Sequence, residues 1–123
     1  MTDRGKDVLL VMKRPGNVAV IREALVGLGY RGIGIDDETA LADAVAAPPM
    51  PALALVDVSG FGPSVWSMCA VLQANEVPFV VLSAPEELSL GGRAVASGAR
   101  TVVQKPVAKV ALLRIVRDLA GPG

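Results

Sequence analysis

The chain has 123 residues, 52% of them hydrophobic but only 3% aromatic, and its 12 basic residues balance 12 acidic ones. That length suits one domain of ~100–150 residues built on an aliphatic core, read here as a single unit over 1–123 with its packed part over about 7–120. With no histidine and one cysteine, a Ser-His-Asp triad, a Cys-His pair, the commonest zinc ligands and an internal disulfide are all excluded.

Val8-Leu-Leu-Val-Met12 is a continuous aliphatic run, suited to a strand buried on both faces of a parallel sheet. Pro15-Gly16-Asn17 breaks it and offers Asn17 as a helix N-cap, with Val18, Ile21, Leu25 and Leu28 at helical spacing before Gly29. Tyr30 to Ile35 reads as a weaker, glycine-diluted strand. Asp36, Asp37 and Glu38 are placed where acids complement the positive end of a short helix running through Leu41 and Val45. Pro48, Pro49 and Pro51 end that helix.

Ala52 to Asp57 is the clearest central strand. After the Gly60-Phe-Gly-Pro63 loop, Ser64 can cap a helix that buries Val65, Met68, Cys69 and Leu72, with Trp66 at the margin of that face. Val77 to Ser83 is a strand, and Ala84 to Glu87 starts a helix diluted by Gly91 and Gly92 and closed by Gly98. Thr101 to Gln104 is a short strand. Pro106 suits the first position of a last helix that buries Leu112, Ile115, Val116 and Leu119.

A strand–helix unit repeated five times predicts an α/β, flavodoxin-like (βα)5 three-layer sandwich with parallel strand order 2-1-3-4-5. Ligands of such sheets gather beyond the C-terminal strand ends, where the order reverses between strands one and three. That rule brings together Lys13 and Arg14, Asp57, Ser83 and Lys105. Two ammonium groups, Lys13 and Lys105, are expected beside the one carboxylate of Asp57 as an ion cluster. For Lys13 and Arg14, solvated loop charges and a dedicated anion site remain the open alternatives.

This ordering resembles the receiver domain of bacterial response regulators. The resemblance rests on Asp57 at the end of strand three, Ser83-Ala84 after strand four, Lys105-Pro106 after strand five and Gly98-Ala99 leading into strand five. It implies two-component phosphorelay signalling, with Asp57 at the phosphoacceptor position and Ser83 and Lys105 at phosphoryl-contact positions. The family's acidic, metal-holding pair falls on Met12 and Lys13, and its switch aromatic falls on Val102. A thioether and an ammonium supply none of the oxygen ligands that Mg²⁺ requires. The expectation is therefore an atypical receiver that needs no cofactor, is no enzyme, and acts by protein contact without Mg²⁺-dependent phosphorylation.

Two alternatives stand beside it: a receiver still phosphorylated at Asp57 with Lys13 and Arg14 replacing the metal, and a small anion-binding α/β protein. The resemblance implies a protein partner, a histidine kinase or a downstream output protein. It also implies a homodimer face on the fourth helix, fifth strand and fifth helix, mapped to Glu87–Ala96 and Val107–Leu119, where Arg93, Lys109, Arg114 and Arg117 are exposed candidates. Zero net charge gives no reason to expect nucleic acid. No apolar run approaches the ~20 residues needed to span a membrane, and Met1 to Asp7 is followed by no small-residue cleavage site, so a cytoplasmic location is expected.

Overall fold

The aliphatic runs form the strands of one sheet in the computed structural model, which describes residues 6–46, 49–84 and 91–120. In chain order the elements are β1 (Asp7–Val11), α1 (Pro15–Val26), β2 (Arg31–Ile35), α2 (Glu38–Ala44), β3 (Leu53–Asp57), α3 (Ser64–Ala74), β4 (Phe79–Ser83), α4 (Gly91–Ala96), β5 (Thr101–Gln104) and α5 (Lys109–Ala120). The strand order is β2-β1-β3-β4-β5 and every pairing is parallel. This is the flavodoxin-like order that the alternating elements predict. In register, Val11 lies opposite Val56, Asp57 opposite Leu82 and Ser83 opposite Gln104, so the C-terminal ends of the inner strands lie level.

Alternation along each strand sends successive side chains to opposite faces, which divides the core in two. Leu9, Val11, Ala54, Val56, Phe79 and Val81 meet Leu41 of α2 and Met68, Cys69 and Leu72 of α3. Val8, Leu10, Leu53, Leu55, Val80 and Leu82 meet Val18 and Leu25 of α1 and Leu112 and Val116 of α5. β3 and β4 are buried along their whole length, whereas β5 at the edge is only half-covered. Ile115 and Leu119 of α5 are half-buried, and Trp66 packs half-buried against the α3 side, as expected of a marginal residue.

Three local expectations are corrected. Helix α1 begins at Pro15, with Arg14 at the N-cap and no side-chain cap, so Asn17 lies inside the first turn. Proline at the first helical position forgoes an N–H that needs no partner there, and this fixes the start three residues early. Ser64 opens α3 without capping it; its hydroxyl donates back to the Phe61 carbonyl at 2.8 Å. Helix α5 begins at Lys109, so Pro106 stands before it, at a bend in the link from β5. By contrast Asp37 does cap α2, accepting the Ala40 N–H at 2.7 Å, and Glu38 lies in the first turn. The expected helix start at Pro85–Glu87, the stop at Pro48 and the Arg93 side chain lie outside the described residues.

Candidate functional site

Asp57 ends β3 and is 5% exposed. One of its oxygens, Oδ1, accepts the Ser59 backbone N–H at 3.0 Å, the local pattern by which aspartate side chains bond two residues onward. Lys105 follows β5 directly. Its backbone N–H donates to the Ser83 carbonyl at 2.7 Å, extending the β4–β5 pairing by one rung. The Lys105-Pro106 peptide is cis.

From that anchor the Lys105 ammonium donates to Asp57 Oδ1 at 2.9 Å, to Asp57 Oδ2 at 3.0 Å and to the Ser59 hydroxyl oxygen at 3.0 Å. An ammonium has three N–H donors, and three acceptors meet them. The side chains of Lys105 and Asp57 are 25% and 8% exposed, so the pair is sheltered on the carboxylate side. Charge-assisted bonds of this length are stronger than neutral ones. Ser59 is a site residue that the sequence reading passed over; the Asp-x-Ser spacing is the signal that marks it.

Lys13 is placed elsewhere than expected. Its ammonium donates to the Asp36 carbonyl at 3.0 Å and lies 5.1 Å from the centre of the Phe61 ring. The ion cluster of two lysines on Asp57 is thus corrected to one lysine and Ser59. The reason is competition: a backbone carbonyl at the end of β2 and an aromatic face both lie within reach of Lys13, and Lys105 already meets both Asp57 oxygens. Met12 is 3% exposed, packs into the α1–α5 side of the core, and donates its backbone N–H to the Ile35 carbonyl at 3.1 Å.

Arg14 is exposed at the head of α1 and lines a cleft with Asp57 and Lys105. Ser83 is 1% exposed, and among the described residues its hydroxyl oxygen has no hydrogen-bond partner. Val102 is half-buried in β5 against the α2–α3 side. Cys69 is buried within the core, and desolvation pushes its thiol up to about 11.

No protein-family model matches the chain, and no curated protein matches it. Solved structures do. A response regulator receiver protein from Burkholderia phymatum superposes with a TM-score of 0.81 at 24% identity, over 95% of this chain and 96% of that one. The receiver domain of a sensor histidine kinase from Pseudomonas aeruginosa, solved with a magnesium ion coordinated in its active site cleft, gives 0.78 at 23% identity, over 94% and 98%. An adenylate cyclase structure from Rhodopirellula baltica gives 0.82 at 12% identity, over 94% and 87%. The chain has the fold of response-regulator receiver domains.

The residues at the site do not fit a magnesium ion. Mg²⁺ is held octahedrally by oxygen, usually from one or two carboxylates with waters. Met12 presents a thioether, Lys13 a cation, and both oxygens of Asp57 accept from Lys105. Among the described residues, no group of three or more His, Cys, Asp or Glu is arranged to hold a metal.

Proposed function

We propose that this protein is an atypical receiver module of two-component signalling, working through protein contacts without Mg²⁺-dependent phosphorylation. The observation that carries the reading is the occupied carboxylate: Lys105 and Ser59 already engage Asp57; the resemblance adds that the receiver family's acidic pair falls on Met12 and Lys13. In a receiver the metal offsets charge that gathers during phosphoryl transfer, and these side chains offer no ligands for it. The fold then serves as a fixed docking surface for a histidine kinase or an output protein. Its α4-β5-α5 face, which includes Lys109, Arg114 and Arg117, is the face for such a partner or for a second copy.

A second reading has one observation in its favour. The Ser83 hydroxyl is buried beside strand end β4 without a partner among the described residues, and a phosphoryl group on Asp57 would supply an acceptor for it. Arg14, which shares the cleft with Asp57, would then take over part of the metal's charge.

Intact-mass spectrometry after incubation with acetyl phosphate, with and without Mg²⁺ and beside Asp57→Asn, separates the two. The proposed function expects no phosphoryl adduct in either condition. An adduct that Asp57→Asn abolishes would overturn it in favour of the second reading.

A further inference from the structure

Between α1 and α5, next to the Asp57–Lys105 pair, the structure has a cleft of about 520 Å³. That volume lies within the ~300–1,000 Å³ of small-molecule sites. Its buried surfaces are apolar: Met12 from the end of β1, Leu82 from β4 and Leu112 from α5, each 3–4% exposed, with Ile21 of α1 beside them. Two features of this chain shape its lining. A thioether at position 12 makes the end of β1 apolar, and the late start of α5 at Lys109 leaves the link through Pro106 and Val107 as a wall in place of a helical turn.

The charges around it are lopsided. Three cations, Arg14, Lys105 and Lys109, and one carboxylate, Asp57, line it. Asp57 is bonded by Lys105 through both oxygens, so the surplus resides on Arg14 and Lys109. Both are exposed, and neither makes an ion pair among the described residues. An apolar interior with two unneutralised cations at its edge is complementary to a molecule with an anionic head and an apolar body. A bare inorganic anion would leave the interior uncovered, and a neutral apolar molecule would leave the cations unused.

We infer that the α1–α5 cleft binds a small carboxylate with an aliphatic body, its head on Arg14 and Lys109 and its chain on Met12, Ile21, Leu82 and Leu112. The inference does not depend on whether Asp57 accepts a phosphoryl group. It gives the molecule a chemical input at the same strand ends.

Amide NMR of the ¹⁵N-labelled protein, titrated with decanoate, tests it. Saturable shifts are expected at Ile21, Val107 and Leu112. The double variant Arg14→Ala/Lys109→Ala should bind at least tenfold more weakly. Val20→Asp, a change at an exposed position on the cleft wall, should do the same by adding a repelling charge. Decanol and inorganic phosphate should each bind at least tenfold more weakly than decanoate. No saturable decanoate binding below millimolar concentration, equal affinity in the variants, shifts confined to other surfaces, or decanol or phosphate matching decanoate would each overturn the proposal.

Discussion

Lys105 holds Asp57 from the far side of the intervening strand: β5 and β3 are separated by β4, yet the ammonium reaches both carboxylate oxygens at 2.9 and 3.0 Å. The reach is possible because the Lys105 backbone is itself tied to Ser83 at the end of β4. The charge pair therefore fastens three adjacent strand ends.

Lys105→Met removes the ammonium and leaves a sheltered carboxylate with the Ser59 N–H. Loss of one member of a fully buried pair costs about 3–5 kcal/mol; with Lys105 a quarter exposed, water recovers part of that, and about 1–3 kcal/mol is expected. Urea unfolding measures it. Asp57→Asn should cost less, because an amide oxygen still accepts from Lys105. A loss below about 0.5 kcal/mol for Lys105→Met would show that the pair is solvated in solution.

Lys13 contacts the Asp36 carbonyl and the Phe61 ring, so its loss should not be felt at Asp57. Lys13→Ala is expected to cost about 0.5–1 kcal/mol, the size of an exposed cation–π contact. In double-mutant cycles the coupling of Lys13 to Asp57 should be under about 0.3 kcal/mol and that of Lys105 to Asp57 above about 1 kcal/mol. Equal couplings would restore the cluster of two lysines.

Gly60 has a φ of +87°, a conformation that L side chains rarely adopt, and a β-carbon there would sit 3.3 Å from Lys13 Cβ and Cγ. Gly60→Ala is expected to destabilise by about 1–2 kcal/mol, from the left-handed backbone with its crowding. Thermal unfolding measures the loss, and an unchanged midpoint would mean the loop adopts another conformation.

Burial pushes the Cys69 thiol up from its ordinary 9.0 to about 11. A folded pKa above the unfolded one means full stability below about pH 9 and a loss that grows as pH climbs to about 11. Cys69→Ala should flatten that part of the urea-midpoint profile. Iodoacetamide at pH 8 should leave the native thiol unmodified and label it promptly in denaturant; rapid labelling of the native protein would contradict the burial.

The sheet was legible because burial on both faces leaves a plain record: Val8–Met12, Ala52–Val56 and Val77–Leu82 are apolar throughout, and parallel order follows from the helices between them. The gathering of Asp57, Ser83 and Lys105 at one end was legible for the same reason. Side-chain direction was not. Lys13 has the position of a partner for Asp57, but the choice among a carbonyl, a ring and a carboxylate depends on a β-strand and a loop far away in sequence. Helix starts were misplaced at Asn17 and Pro106 because proline fixes φ without fixing which residue begins the helix. The cleft was invisible in sequence, since part of its wall is the Pro106–Val107 link that the sequence assigned to α5.

The fully buried β3 supplies one partner of the central ion pair and the half-covered edge strand β5 leads into the other. Amide protons of Leu53–Asp57 should exchange with deuterium only on global unfolding, those of Thr101–Gln104 through smaller openings at the edge. Each such excursion would carry Lys105 off with the edge strand while Asp57 stayed in place. The lifetime of the pair is then set by the most weakly protected strand of the sheet, and Asp57 becomes accessible to solvent and to other molecules at that rate.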